Sequence, residues 1–190
     1  MSSIFLAPPE TQFLERFFNE EDSQRLFAQL RATIAWRQDA LRIHGREINL
    51  PRLTAWYGDP DAVYTYSGIR NVPLVWTPEL QEIKSRAEAA AEPFNSVLLN
   101  LYRTGADSMG WHSDDERETT PTIASVSFGA TRTFQLRRKA PPADVISMRL
   151  SSGSLLLMTG STQRLWQHRV PKEAADGERI NLTFRRVRPS

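Results

Sequence analysis

Cysteine is absent from this chain. That excludes a disulfide framework, a thiolate zinc site and a cysteine nucleophile. Histidine is scarce. His44, His112 and His168 are the full set, so any metal site must combine them with carboxylates. No apolar run approaches the roughly 20 residues that span a bilayer. Met1 to Glu10 lacks a basic stretch followed by an apolar core, so it is not read as a secretory signal. Lysine is rare as well: within 24 Lys+Arg, arginine outnumbers lysine 21 to 3. Codon bias alone can produce that ratio, so the meaning of the arginines depends on where they sit. Opposite charges nearly cancel, to +2, which gives no field strong enough to name a partner. There is no internal repeat and no low-complexity segment.

The 190 residues correspond to one domain, 1–190, and a chain of this size buries a real core. Residues 20–34 are expected to form a helix. Asn19 is its N-cap, Glu20, Glu21 and Asp22 favour its positive end, and Leu26, Phe27, Leu30 and Ile34 form a buried stripe. A second helix opens at Thr77-Pro78 and runs through Leu80, Ile83 and Ala87 until Pro93 stops it. Short strands follow, over 96–104, 122–128, 132–138, 145–150, 154–159, 165–170 and 179–187. Phe128-Gly129-Ala130-Thr131 reads as a tight hairpin. Residues 37–76 are less regular, with a hairpin tip expected near Gly45. Many strands preceded by helices indicate an α+β, mainly β protein, a sandwich or jelly roll backed by N-terminal helices.

The chemistry begins at His112-Ser113-Asp114. Residues two apart in an extended segment point the same way, so imidazole and carboxylate converge. His168, in Trp166-Gln167-His168, can supply a third ligand. Two histidines and one carboxylate on one face of an ion leave the other face open, the ligand set of non-haem Fe(II) oxygenases. Zinc hydrolases use the same donors, so the triad alone does not name the metal.

Arg179 to Arg185 alternates strictly. Ile180, Leu182 and Phe184 face one side, and Arg179, Asn181, Thr183 and Arg185 face the other. A solvated polar face explains such alternation in many strands. In a jelly roll, however, one sheet face points inward, and two inward guanidiniums need an anion because unpaired buried charge is costly. A dicarboxylate would serve. The two arginines are roughly 20 Å apart along a strand, so one should take the distal carboxylate and the other should act near the metal. In strand 96–104, Asn100 and Tyr102 point together, opposite Val97, Leu99 and Leu101. An amide and a phenol can both hydrogen-bond a carboxylate.

These motifs occur in the order Pro51-Arg52-Leu53-Thr54-Ala55-Trp56-Tyr57-Gly58-Asp59, Asn100-Leu101-Tyr102, His112-Ser113-Asp114-Asp115-Glu116, Ala124-Ser125-Val126-Ser127-Phe128-Gly129-Ala130, Trp166-Gln167-His168-Arg169-Val170-Pro171 and Arg179 to Arg185. Together they resemble the AlkB family of Fe(II)/2-oxoglutarate-dependent nucleic-acid dealkylases, closest to its animal DNA-repair branch. The resemblance implies a double-stranded β-helix with a catalytic jelly roll over 51–187. It implies that His112, Asp114 and His168 bind iron. It implies that Asn100, Tyr102, Arg179, Asn181, Thr183 and Arg185 line the 2-oxoglutarate site, with Arg179 on the distal carboxylate. Tyr64 and Tyr66 would cover the target base, Tyr66 stacking opposite His112. Asp115 and Glu116 would lie beside that base. Residues 1–50 would be an N-terminal extension carrying a helix and a DNA-probing hairpin. In that hairpin Ile43 or His44 is the wedge, with Arg42 and Arg46 on flanking phosphates.

The implied reaction uses Fe(II), 2-oxoglutarate and O2 to hydroxylate a methyl group on a base nitrogen, and formaldehyde then leaves. Bases of the 1-methyladenine and 3-methylcytosine type are the implied substrates, in single- or double-stranded DNA and also in RNA. The base must leave the stack to reach such a site, and cationic lesions favour aromatic and acidic surroundings. A monomer with no membrane association is expected, cytoplasmic with nucleoid access in a bacterium and nuclear in a eukaryote. The alternative is a 2-oxoglutarate-dependent hydroxylase acting on a protein or small molecule, which would keep the same metal and cosubstrate residues.

Overall fold

Thr11–Leu14 forms a short strand, β1, and Asn19 then starts helix α1 (Glu20–Thr33). The Asn19 side chain accepts a hydrogen bond from Asp22 N at 2.7 Å, and Glu20, Glu21 and Asp22 fill the first turn. Both favour the positive helix end. Strands β2 (Ala40–Ile43) and β3 (Arg46–Asn49) pair as an antiparallel hairpin. β4 (Leu53–Gly58) follows, then a second small hairpin of β5 (Tyr64–Tyr66) and β6 (Ile69–Asn71). Helix α2 (Pro78–Ala90) has Thr77 as N-cap and proline in its first turn. The computed structural model describes residues 9–43, 46–62, 64–66, 69–115 and 119–188, with backbone alone for 41–43, 46, 64–66 and 69–71.

The rest of the chain is mostly strand. β7 (Ser96–Tyr102), β8 (Met109–His112), β9 (Ile123–Gly129), β10 (Arg132–Arg138), β11 (Val145–Leu150) and β12 (Ser154–Met158) lead to a four-residue helix, α3 (Thr162–Leu165). β13 (Trp166–Val170) and β14 (Arg179–Arg185) complete it. A six-stranded sheet runs β1-β12-β9-β14-β7-β4, and a four-stranded sheet runs β11-β10-β13-β8. Every strand pairing is antiparallel. This is the expected jelly roll.

Two cores hold it. Leu26, Leu30 and Ile34 of the α1 segment and Leu80, Ile83 and Ala87 of α2 pack on Val97, Leu99, Leu101, Val126, Ile180, Leu182 and Phe184. The helices therefore cover one face of the large sheet. A second cluster, with Tyr102, Phe134, Leu136, Leu156, Met158 and Trp166, fills the space between the two sheets. Each fully buried Leu or Phe contributes about 1.5–3 kcal/mol relative to exposure. The alternation of β14 thus puts its apolar side under the helices and its polar side toward the small sheet.

One expectation fails. Phe128 to Thr131 is not a hairpin, because β9 and β10 lie in different sheets. Both hydrogen-bonding edges of β9 are taken, by β12 and β14, and no edge is left for β10. Gly129, at φ 85°, instead turns the chain from one sheet to the other. β1 and β8 also fall outside the expected strands. Each has four residues, too few to show an alternation.

Candidate active site

The register of two strands builds the centre. β13 lies beside β8 with His168 directly opposite His112, and the imidazole centroids are 4.1 Å apart. Asp114 follows just beyond the end of β8. Its Oδ2 is 3.7 Å from His168 Nε2 and its Oδ1 is 3.9 Å from His112 Nε2. Asp114 N donates to Gln163 Oε1 at 3.0 Å, which ties the loop to α3. His112 Nδ1 lies 2.8 Å from the Gly110 carbonyl oxygen. A carbonyl only accepts, so Nδ1 is the donor in this contact and Nε2 is the ring nitrogen turned toward Asp114.

The electrostatics prepare these groups to bind a cation. Burial opposes ionisation of Asp114, but Arg185, His168 and His112 outweigh it and hold the carboxyl at about 2. Burial pushes His168 down to about 3, with Asp114 acting in the opposite sense. Near neutral pH the set is therefore an anionic carboxylate and a neutral buried imidazole, the protonation states that metal binding requires.

β14 supplies the other half. Arg179 is 1% exposed, and its Nη2 donates to Ser127 Oγ at 2.9 Å. Among the described residues, its Nε and Nη1 have no hydrogen-bond partner. Burial pushes this guanidinium below its ordinary value, while neighbouring Tyr102 acts in the opposite sense. Asn181 Nδ2 donates to Ser125 Oγ at 2.8 Å, and Thr183 Oγ1 donates to Asn181 Oδ1 at 3.1 Å. Arg185 Nη2 reaches Asp114 Oδ1 at 2.8 Å, so the two ends of the strand serve different groups. On β7, Asn100 Oδ1 accepts from Arg52 Nε at 2.7 Å.

One cavity joins these parts, lined by His112, Asp114 and His168 and by Asn100, Tyr102, Arg179, Asn181, Thr183 and Arg185. The donor set suits Fe(II). The unsatisfied nitrogens of a buried Arg179 suit a carboxylate, which would accept from them and compensate the charge. Leu98, Met109, Phe134, Met158 and Val170 give the rest of the wall a mostly apolar lining, with Ser125 and Arg169 as its polar members.

The other expected residues fall elsewhere. Asp115 is exposed and paired with Lys139 at 2.8 Å, beyond this cavity. Tyr64 and Tyr66 lie on β5, opposite Asn71 and Ile69, and Ile43 lies opposite Arg46 at the end of β2; only their backbone is described. His44 and Glu116 lie outside the described residues. The sequence reading missed Arg52, Ser125 and Ser127 as functional residues. The serines had a signal, because Ala124 to Phe128 alternates apolar and hydroxyl residues as β14 does. Arg52 had none, since it precedes its strand.

A profile described as the 2OG-Fe(II) oxygenase superfamily matches residues 10–185. The chain is 44% identical over 186 residues to the Alpha-ketoglutarate-dependent dioxygenase alkB homolog 3 of Homo sapiens, covering 91% of this chain and 64% of that protein. It is 36% identical over 187 residues to the DNA oxidative demethylase ALKBH2 of Mus musculus, covering 91% of this chain and 78% of that protein. The chain thus spans less than two thirds of the alkB homolog 3 length. A solved structure described as "The structure of OsALKBH1" superposes with a TM-score of 0.62 at 19% identity, covering 95% of this chain and 98% of that one. At that identity it shows the fold alone.

Proposed function

The chain belongs to the 2OG-Fe(II) oxygenase superfamily and, within it, to the AlkB homologues, and we propose that it uses Fe(II), 2-oxoglutarate and O2 to remove alkyl groups oxidatively from the nitrogens of nucleic-acid bases. The observation that carries the chemistry is the shared cavity. A two-histidine, one-carboxylate donor set and a buried arginine with two unsatisfied nitrogens face the same space. A metal hydrolase needs no such anion seat; a keto-diacid cosubstrate does. The base as target rests on likeness to relatives named for DNA demethylation and for the AlkB line.

His112, Asp114 and His168 would hold the iron. Arg179, with Ser127 and Tyr102 beside it, would bind the distal carboxylate of 2-oxoglutarate. Asn100, held by Arg52, would present its amide N–H groups to the cosubstrate. Arg185 would keep the Asp114 carboxylate ionised and oriented. With metal and cosubstrate bound, O2 would be the oxidant, taking two electrons from 2-oxoglutarate, which leaves as succinate and CO2, and two from the alkyl C–H bond, so that the hydroxymethyl product would lose formaldehyde and leave the unmodified base. The apolar wall of Leu98, Met109, Phe134 and Met158 would exclude water from the oxidising centre. Tyr66 and His112 would sandwich the base, with Tyr64, Asp115 and Glu116 around it and Ile43 and His44 at the duplex.

The test is to incubate the Fe(II) protein with 2-oxoglutarate and an oligonucleotide holding one methylated base, then to weigh the product. Loss of one methylene mass with release of formaldehyde is the expected result. Unchanged mass on 1-methyladenine and 3-methylcytosine in DNA and RNA, single- and double-stranded, defeats the reading.

A further inference from the structure

The outer face of the four-stranded sheet carries a feature that the centre does not use. Trp111 on β8 points away from the metal triad, since its neighbour His112 faces the cavity. Two guanidiniums sit against its indole. Arg137 Cζ and Arg169 Cζ are each 4.4 Å from the ring centre. All three residues are half-buried. Arg169 is the chain neighbour of His168, so this cationic cluster lies directly behind the two imidazoles.

The partners of these arginines are neutral. Arg137 Nε and Nη2 donate to Gln167 Oε1 at 3.0 and 2.8 Å, and Arg169 Nε donates to Gln135 Oε1 at 2.7 Å. Among the described residues, neither arginine has a carboxylate partner. The same sheet shows the alternative. Arg132 and Arg149 both meet Glu173, each at 2.9 Å. A glutamine oxygen fixes a guanidinium plane without cancelling its charge, and an indole face holds a cation in place. Arg137 and Arg169 are therefore oriented and stacked, with no carboxylate among the described residues to cancel their charge.

We infer that the Arg137–Trp111–Arg169 cluster is a binding surface for the phosphodiester backbone of the strand whose base enters the cavity. The inference rests on the nucleic-acid reading above and extends it to a surface outside the active site. Two features select this occupant over an acidic protein segment. Fixed cations interleaved with an aromatic face are the chemistry of single-strand binding, where phosphates meet the cations and bases stack. The cluster is also continuous with the centre. A surface groove lined by Ile48, Asn49, Pro51, Gly110, Trp111 and His112 joins the β2–β3 hairpin to His112 and Trp111. A strand lying in that groove would pass His112 and reach Trp111, against which both guanidiniums sit.

The experiment compares wild type with the double variant Arg137→Gln, Arg169→Gln, both loaded with Mn(II) and 2-oxoglutarate. Fluorescence anisotropy measures binding of a labelled single-stranded oligonucleotide carrying one methylated base, across a range of salt. The double variant is expected to bind about tenfold or more weakly, because each lost charged hydrogen bond is worth roughly a factor of ten. Its log–log salt slope is expected to fall by about 1.4, since each phosphate contact on a single strand contributes about 0.7. Its 2-oxoglutarate affinity and melting curve should match wild type, which excludes misfolding as the cause. Trp111→Phe should retain most of the binding and Trp111→Ala should lose part of it. Unchanged affinity and slope in the double variant, with wild type still demethylating, overturns the surface alone. A wild type that neither binds nor demethylates the oligonucleotide overturns both readings. If the double variant loses binding to poly-glutamate but not to the oligonucleotide, the surface serves an acidic protein and the inference is wrong.

Discussion

Arg52, just before β4, donates its Nε to Asn100 Oδ1 on β7 over 2.7 Å, and a second donor, Arg52 Nη1, reaches the Ser108 carbonyl at 3.3 Å. Arg52 is 8% exposed. Its bond fixes which end of the Asn100 amide faces the cavity, because the oxygen is consumed and the NH2 group remains. Arg52→Met should therefore raise the KM for 2-oxoglutarate about three- to tenfold, the worth of one misdirected hydrogen bond. The KM for the oligonucleotide should change less. Steady-state kinetics with each substrate varied in turn distinguishes the two; equal effects on both would show that Arg52 acts on the fold as a whole.

Arg179 gives a prediction of opposite sign for binding and for stability. Its buried guanidinium holds one hydrogen bond to Ser127 and two unsatisfied nitrogens. Removing such a charge relieves a desolvation cost. Arg179→Met should lose 2-oxoglutarate affinity by about a hundredfold or more, as expected for a charge-assisted pair. The ligand-free protein should melt no lower than wild type. Titration of 2-oxoglutarate and thermal unfolding of the apo protein test the two halves, and a large drop in apo melting temperature contradicts the second.

The triad predicts metal linkage. A ligand that binds the folded state alone stabilises it by RT ln(1 + [L]/Kd), about 2.7 kcal/mol at a hundredfold excess over Kd. Adding Mn(II) or Fe(II) should raise the melting temperature of wild type, and EDTA should reverse the rise. Asp114→Ala and His168→Ala should abolish it. In Asp114→Ala the baseline should also fall, since Arg185 loses a partner at 2.8 Å and breaking a buried pair costs about 3–5 kcal/mol. A metal-dependent rise that survives in both variants would move the metal elsewhere.

Glu173 sets an acid limb. Burial raises its carboxyl, but hydrogen bonds from Thr133 and Arg132 and the charge of Arg149 outweigh that and leave it below its ordinary value. A group whose pKa is lower when folded adds stability above its unfolded pKa, about 4.3 for Glu. That stability is lost as pH falls through the folded value. Melting temperatures of wild type should decline across this window, and Glu173→Gln should start lower at neutral pH and decline less. Parallel curves for the two proteins would refute the assignment.

The elements that carry one face to the core were legible in the sequence. The strands over 132–138 and 145–150 have the boundaries expected for them. The alternation of Arg179 to Arg185 announced its two faces, because a residue period of two is fixed by strand geometry. Asn19 and Thr77 announced their helices through the capping oxygens that each helix requires. The pairing of strands was not legible. That β9 spends both edges on β12 and β14, leaving the turn at Gly129 to change sheets, depends on partners far away in the chain. The same holds for Arg52, whose meaning comes from Asn100 on another strand. His112 and Asp114 were visible as a pair, but their juxtaposition with His168 is set by the register of β8 against β13, which no local pattern records.

The place of β14 in the large sheet has a consequence for biosynthesis. Its neighbours β7 and β9 both precede it, and Tyr102 and Gly129 both pair with Arg179. A ribosome therefore delivers all three metal ligands before it delivers either arginine of the strand. Until residues 179–185 emerge, β7 and β9 each present an unpaired edge, and the cavity lacks its anion seat. Closing that gap requires pairing over 50 residues or more, a non-local step that is slow in folding and leaves exposed strand edges meanwhile. On the roles proposed above, a nascent chain would have its metal ligands in place before the arginine that would seat the cosubstrate, and so would have no means to spend oxygen.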